Sequence, residues 1–261
     1  MIYASYHNHT PLCRHATGSP EEYVEEAIRG GLKIFGFSDH TPYLYDGDYY
    51  PYGVKMLPQE IEQYVDTVLT LKQKYASDIT IHLGLEMEYY PKFFDRLLEF
   101  LAPYPLEYFL LAQHNLGNDM LPDGTPDVSS FKPTTDEKQL IRYVDQCIEA
   151  MNTGKFIYFA HPDVFHFTGS DEVYQEHMRR LCIAAKKIDL PLEINLQGVT
   201  EDRFYPNPLF WSLASEIGNK VVLGADAHRT SRVIDLPAIK KAEEMAARLH
   251  LQLLTDIEDR F

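Results

Sequence analysis

The stretch "LKIFGFSDH", residues 32–40, is a short apolar run that ends in an aspartate and a histidine. It follows "SPEEYVEEAIRGG", residues 19–31, in which Ser19 is the predicted N-cap, Pro20 the first helical residue and Glu22 the partner in a capping box. Two glycines end this helix, so the apolar run after them is predicted to be a buried strand. The two segments are the first helix and strand of an order that the chain repeats.

The alternation of helix and strand continues through the rest of the sequence. Further helices are predicted at 58–76, 91–102, 134–151, 171–188, 206–217 and 235–249. The first of these has an apolar face made of Ile61, Tyr64, Val65, Val68, Leu69 and Tyr75, and the third has a predicted capping box at Thr134 and Glu137. Strands are predicted in "ITIHLGLEME", "EYFLLAQH", "KFIYFAH", "PLEINL" and "KVVLGADAH".

Seven such units, with no linker or composition break between them, predict a single α/β domain over residues 1–261. Strands that alternate with helices form a parallel sheet. This number of units favours a closed or nearly closed barrel, and an open doubly wound sheet is the alternative.

Composition excludes several classes of protein. No apolar run is long enough to span a membrane, and the first residues lack the pattern of a signal peptide. Three cysteines without CxxC spacing argue against a disulfide framework and favour the cytoplasm. A net charge of −15 argues against nucleic-acid or anionic-membrane partners. An anionic substrate would therefore need local positive charge, which metal cations could provide.

Polar residues fall at the ends of the predicted strands. In chain order they are His7 and His9, Asp39 and His40, Glu86 and Glu88, His114, His161, Glu193 and Asn195, and Asp226 and His228. The carboxyl ends of parallel barrel strands share one rim, where barrel active sites are built. Most of the 11 histidines, including His15, lie on or beside this rim, which predicts a metal site.

The number of candidate ligands indicates more than one ion. The candidates are His7, His9, His15, His40, Glu86, His114, His161, Asp226 and His228. One zinc ion takes only three or four ligands, so this set predicts two to three divalent ions. Mixed imidazole and carboxylate ligands suit zinc, manganese or iron. Neighbouring ions suit phosphoester hydrolysis, because they can convert a shared water to the attacking hydroxide and neutralise phosphoryl oxygens.

The ordered motifs "HNHTPLCRH", "FSDH", "GLE", "QH", "HPD" and "GADAH" resemble the polymerase-and-histidinol-phosphatase (PHP) superfamily from about residue 3 to 250. The resemblance implies a distorted (β/α)7, TIM-like barrel with a trinuclear metal centre and phosphoesterase activity. It implies one ion on His7, His9, Glu86 and Asp226, a second on Glu86, His114 and His161, and a third on His15, His40 and His228. Glu86, which would bridge two ions, Asp226 and His228 are the expected catalytic residues, and Asp39 is expected to orient a ligand.

Within the superfamily, "FSDHTPY", "GLEMEYYP" and "EINLQG" followed by "FYPNP" are most similar to the histidinol-phosphatase branch, which acts in histidine biosynthesis. A small-molecule phosphomonoester, histidinol phosphate, is therefore the expected substrate. Arginine suits a phosphate dianion because it can bind two oxygens at once. Arg203 is the first candidate, with Arg14, Arg229 and His166 as others. The "YLYDGDYYPYG" loop is a possible aromatic and acidic lid.

Three alternatives remain open at this point. A nuclease or nucleotide phosphatase on the same scaffold would need a basic groove, and a phosphotyrosine-protein phosphatase would need an open rim. An amidohydrolase in a similar barrel would need a bridging lysine at a strand end, and no predicted strand ends in one.

Overall fold

The computed structural model describes residues 3–46, 53–117 and 128–261, and its strands follow the predicted order. They are β1 (Ala4–Ser5), β2 (Ile34–His40), β3 (Thr80–Glu88), β4 (Tyr108–Ala112), β5 (Asn115–Leu116), β6 (Val128–Ser129), β7 (Tyr158–Phe159), β8 (Leu192–Asn195), β9 (Lys220–Gly224) and β10 (Gln252–Leu253). Eight of them form one sheet in the order β1-β2-β3-β4-β7-β8-β9-β10, with every pair parallel. β5 and β6 form a separate antiparallel pair.

The first and seventh strands of this sheet meet at their carboxyl ends. Just past β1, Asn8 forms a parallel bridge with Ala227, and the His9 N–H donates to the Ala227 carbonyl at 3.1 Å. This contact supports the predicted barrel and argues against an open doubly wound sheet. The short eighth strand β10 was not predicted, and it extends the sheet beyond β9.

The helices follow the predicted order, with one addition. They are α1 (Pro20–Arg29), α2 (Ile61–Lys74), α3 (Phe94–Leu101), α4 (Glu137–Asn152), α5 (Asp171–Lys187), α6 (Leu196–Thr200), α7 (Pro208–Ile217) and α8 (Leu236–Arg248). The short α6 directly after β8 was not predicted. No helix among the described residues is both long and apolar enough to cross a bilayer.

Of the two predicted capping boxes, one is confirmed and the other is wrong. The capping box of Ser19 and Glu22 is present, with Pro20 at the first position of α1. The predicted box at Thr134 is wrong, because Asp136 caps α4 by accepting from the Lys138 N–H. Thr134 instead pairs with the segment around Phe167 through backbone hydrogen bonds, which hold it outside the helix.

The buried face of α2 also differs from the prediction at one position. Leu69 is exposed, and Leu71 is buried in its place. Leu71 lies three residues after Val68, so it continues the stripe through Ile61, Tyr64 and Val68 that faces the sheet.

A tyrosine crosses the barrel interior beneath the rim. The Tyr108 hydroxyl lies 2.7 Å from the Tyr6 carbonyl oxygen and 2.9 Å from that of Phe37. Gly36 and Gly84 make room for this ring, since a Cβ on either would lie 2.3 Å or 2.4 Å from Tyr108 atoms. The barrel is therefore filled at this level, and the polar cluster lies above it.

Candidate metal centre

The structure brings all nine predicted ligands into one cluster at the carboxyl ends of the strands. Glu86, near the end of β3, lies at its centre and is 1% exposed. Its carboxylate oxygens lie 2.7 to 3.6 Å from ring nitrogens of five histidines: His7, His9, His40, His114 and His161. A position shared by so many imidazoles suits a carboxylate that bridges two ions.

The remaining predicted ligands adjoin this group on one side. The His228 ring stacks on that of His9 at 4.0 Å and on that of His15 at 4.5 Å between centroids. Asp226 Oδ1 lies 3.1 Å from His9 Nε2. Groups of three ligand atoms that lie within 4.8 Å of one another include His15, His40 and His228.

Several buried nitrogens in the cluster form no well-directed hydrogen bond among the described residues, although carboxylate oxygens lie close to some of them. These atoms include the Nε2 atoms of His7, His9 and His228 and Nδ1 of His40, together with Oε2 of Glu86. A buried polar atom without a partner costs free energy, so such atoms are rare in folded proteins. Lone pairs from imidazole and carboxylate that converge in this way fit divalent cations of the zinc, manganese or iron type.

The opposite nitrogens of several of these rings are held by carboxylates. His7 Nδ1 lies 2.8 Å from Glu193 Oε2, and His9 Nδ1 lies 3.4 Å from Asp39 Oδ1. An acceptor at Nδ1 keeps the proton there and leaves Nε2 free to bind a metal. Asp39, which was predicted to orient a ligand, lies beside His9. Glu193 has the same position beside His7, a role that was not predicted.

Charge within the cluster shifts the pKa values of its members. Burial acts to raise the pKa of Glu86, but the imidazoles of His40, His114 and His7 outweigh it and hold this pKa well below its usual range. Burial acts to lower the pKa of His114, but Glu86 and Glu88 raise it to about 10. The raised pKa of His114 means that a cation bound at this imidazole would compete with a proton.

Two of the predicted ligands have unusual backbone conformations. His161 and Asp226 have φ angles of 33° and 49°, in the left-handed region that residues other than glycine rarely adopt. Such conformations concentrate at functional sites, where the surrounding structure maintains them. In this chain His161 follows β7 and Asp226 follows β9, at the rim of the barrel.

A cavity of about 680 Å³ opens above the cluster. Seven of the nine predicted ligands line it: His15, His40, Glu86, His114, His161, Asp226 and His228. Aromatic rings form its walls, because Phe131 stacks on His114 at an interplanar angle of 10°, and Phe204 and Tyr205 lie on another side. A small molecule that enters this cavity would contact the cluster directly.

The four predicted substrate-binding residues have different positions. Arg203 lines the cavity, where it donates to the Tyr205 hydroxyl at 2.6 Å and pairs with Glu201. Arg14 pairs with Glu60 and does not line the cavity. Arg229 lines a smaller adjoining cleft beside His228, and His166 stacks on Phe204 at 3.9 Å without lining the cavity.

The possible lid falls only partly within the described residues. Tyr43 is buried and its hydroxyl donates to the Glu88 carbonyl, so this part of the loop packs beside the cluster. Residues 47–52 lie outside the described residues. Lys55, after the gap, is buried in the cavity wall, a position that no local signal in the sequence predicted. Glu193 could have been found, because it lies inside an apolar strand, as Glu86 does.

This chain is similar to known proteins over most of its length. The model of the PHP domain matches residues 5–197. A protein of Deinococcus radiodurans named "Probable histidinol-phosphatase" is 31% identical over 238 residues, which cover 87% of this chain and 86% of that protein. A protein of the same name from Schizosaccharomyces pombe is 26% identical and covers 88% and 81%.

The fold also matches a solved structure closely. Histidinol phosphate phosphatase from Lactococcus lactis, determined with zinc, L-histidinol and phosphate, superposes with a TM-score of 0.74 over 97% of this chain and 95% of that chain, at 21% identity. This likeness confirms the TIM-like barrel. The domain match and the 31% identical relative show that this chain belongs to the PHP-domain family.

Proposed function

We propose that this chain is a metal-dependent phosphomonoesterase that hydrolyses L-histidinol phosphate to L-histidinol and phosphate. The observation that carries the proposal is the convergence of imidazole nitrogens from five histidines on the Glu86 carboxylate at the floor of a cavity. The names of the relatives support the substrate, since proteins similar over most of this chain are called histidinol-phosphatases. All of residues 1–261 are proposed to form one domain, because β1 and β10 belong to one sheet.

The proposed centre holds two to three ions on three sets of ligands. The first set is His7, His9, Glu86 and Asp226, the second is Glu86, His114 and His161, and the third is His15, His40 and His228. The clustering of His7 with His9 and Asp226, and of His15 with His40 and His228, supports this division. Zinc is the leading metal because the Lactococcus lactis enzyme contains it. Bound ions would supply charge for the phosphoryl oxygens and a water activated for attack.

The chain's own residues would bind and orient the ester. Arg203 is the proposed phosphate contact, because its guanidinium lies in the cavity wall and is kept in place by Tyr205 and Glu201. The Asp226 carboxylate is oriented by Asn195, which donates to Oδ2 at 3.0 Å. Asp226 and His228 both face the cavity, where they would contact the reacting phosphate.

The cavity also supports a small substrate over a macromolecule. Phe131, Phe204 and Tyr205 enclose the floor, and such walls suit an imidazole ring better than a long strand of nucleic acid. The net charge of −15 points in the same direction. The proposed enzyme is cytoplasmic, which its three free and buried cysteines support.

Phosphate release would test this proposal. The protein, loaded in parallel with Zn²⁺, Mn²⁺ or Fe²⁺, is assayed against histidinol phosphate, nucleoside monophosphates, phosphotyrosine peptides and simple sugar phosphates. We expect the highest kcat/KM for histidinol phosphate. A higher value for a nucleotide or a phosphotyrosine peptide would contradict the proposed substrate and favour the corresponding alternative.

A further inference from the structure

A buried lysine–glutamate pair lies beside the cluster. Lys55 Nζ lies 2.6 Å from Glu88 Oε1, and each side chain is 2% exposed. Among the ion pairs that lysine and arginine form within the described residues, no other has both side chains so deeply buried. Burying an ammonium group is costly unless a carboxylate compensates it, so each member of this pair depends on the other.

The same carboxylate oxygen contacts a predicted metal ligand. Glu88 Oε1 accepts from His114 Nδ1 at 2.9 Å, while Nε2 of that ring faces Glu86 at 3.3 Å. An acceptor at Nδ1 keeps the proton on that nitrogen and directs the lone pair of Nε2 toward the cluster. Glu88 therefore determines both the tautomer and the orientation of His114.

Lys55 also belongs to the wall of the cavity. It lines the cavity together with Val54, and the next residue, Met56, is fully buried in the core. One carboxylate oxygen thus joins this wall to an imidazole of the cluster. A lysine in a cavity wall could instead bind phosphate directly, but the Lys55 ammonium is already in contact with Glu88 and almost inaccessible to solvent.

We propose that Lys55 and Glu88 are positioning residues that act as one unit on His114. Lys55 holds the carboxylate, and the carboxylate holds the imidazole, so that both determine how tightly the ion on Glu86, His114 and His161 binds. This inference rests on the metal centre of the proposed function. Lys55 itself is not proposed to contact the substrate.

The test measures zinc affinity in the variants Lys55→Met and Glu88→Gln and in the double variant. Chelator-stripped protein is titrated with Zn²⁺ against a competing chromophoric chelator, and bound zinc is counted by elemental analysis. Loss of a residue that orients a ligand typically costs about 10- to 100-fold in metal affinity, and we expect each single variant to lose zinc affinity in this range at one site. The double variant should lose no more than the worse single variant. Lys55→Arg, which keeps the charge, should restore most of the affinity.

The chain contains a matched control at the opposite end of the barrel. Lys72, Glu107 and His82 form a similar trio, with Lys72 Nζ 2.7 Å from Glu107 and His82 Nδ1 3.0 Å from it. Lys72→Met and Glu107→Gln should change the unfolding midpoint and leave zinc affinity unchanged. If Lys55→Met does not fold, Lys55→Gln, which retains a polar end, replaces it in both the single and the double variant.

Three results would overturn the inference. The first is that Lys55→Met and Glu88→Gln both bind zinc as tightly as the parent. The second is that the double variant loses the sum of the zinc-binding free energies that the two single variants lose. The third is a Lys55→Met variant that keeps its zinc affinity but binds inorganic phosphate more weakly, which would make Lys55 a substrate contact. If the parent protein itself bound no zinc, manganese or iron, the proposed function would fail, and this outcome differs from all three.

Discussion

The two ends of the barrel contain similar trios of lysine, glutamate and histidine in different surroundings. At the amino end, both ring nitrogens of His82 are used by the protein, because Nδ1 faces Glu107 and Nε2 faces Glu258, each at 3.0 Å. At the carboxyl end, His114 uses Nδ1 for Glu88 and turns Nε2 toward Glu86, around which other imidazoles also converge.

Solvent access differs in the same way. The side chains of Lys72 and Glu107 are 39% and 28% exposed, whereas those of Lys55 and Glu88 are each 2% exposed. Water can therefore replace a lost partner more readily at the amino end than at the carboxyl end. Residue type alone therefore does not distinguish a structural cluster from a metal centre. What distinguishes the two trios is that Nε2 of His82 faces Glu258, whereas Nε2 of His114 faces Glu86, a carboxylate that four other imidazoles also approach.

The largest expected difference between the two ends concerns their glutamates. Glu86→Gln removes the charge at the centre of the cluster, so it should release more than one ion and lower kcat/KM by more than about a hundredfold, beyond the usual effect of residues that only orient a ligand. Glu107→Gln should keep both metal content and activity. Elemental analysis and phosphate release measure the two quantities, and equal effects of the two substitutions would contradict the comparison.

The next effect concerns the cavity wall above the carboxyl end. Arg203→Ala should lower kcat/KM for histidinol phosphate by about tenfold to a thousandfold, or ~1.4–4 kcal/mol, since a guanidinium contact to phosphate is lost. Metal content should not change. Arg14→Ala is the comparator, because Arg14 pairs with Glu60 outside the cavity lining. A larger loss in Arg14→Ala than in Arg203→Ala would reverse the assignment of the phosphate contact.

A smaller effect is expected at the edge of the cluster. His15 is exposed, whereas His7 and His9 are fully buried. His15→Ala should therefore release only the ion proposed for His15, His40 and His228, and reduce activity about tenfold, less than Glu86→Gln. Metal counting on the two variants in parallel checks this order. Complete loss of metal in His15→Ala would show that the three proposed sets of ligands are not separable.

The smallest effect concerns acid stability at the amino end. Burial acts to raise the pKa of Glu107, but hydrogen bonds from His82, Lys72 and the Leu83 N–H outweigh it and lower this pKa to about 2. A carboxyl group whose pKa is lower in the folded state stabilises the protein above its unfolded pKa of about 4.5, and this stability is lost as the pH falls toward 2. The contribution at neutral pH is ~1–3 kcal/mol.

Unfolding by urea between pH 6 and pH 2.5 checks this expectation on metal-free protein. Glu107→Gln should be less stable than the parent at pH 6 and should approach it at pH 2.5, where the carboxyl group of the parent is increasingly protonated. A constant difference between the two proteins over this range would show that the lowered pKa of Glu107 does not contribute to stability.

Much of the site was predictable because of one rule of parallel barrels. The carboxyl ends of their strands share a rim, so residues such as His40, Glu86 and Asp226, far apart in the chain, could be placed together from strand positions alone. The structure brings them together as expected. Glu193 was not predicted to be part of the site only because the cost of burying a carboxylate in an apolar strand was considered for Glu86 and not for Glu193.

Contacts made by loops were not predictable in this way. Choosing Arg203 over Arg14 depends on which guanidinium reaches the cavity, and a long side chain beyond a strand end can point in several directions. The cap of α4 is a similar case. Thr134 and Asp136 both suit an N-cap, and the pairing of Thr134 with the segment around Phe167 decides between them.

The sequence by itself therefore predicted most of the order of elements, favoured a barrel over an open sheet, and placed nine candidate ligands at one rim, because hydrophobic periodicity and strand ends are local properties of the chain. Only the tertiary structure decided which nitrogen of each ring faces the cluster, which carboxylate holds the other nitrogen, and that Lys55 is buried against Glu88. These outcomes depend on contacts between residues far apart in the chain, since Glu88 lies 33 residues after Lys55 and 26 residues before His114. They also depend on desolvation, which no single segment of sequence determines.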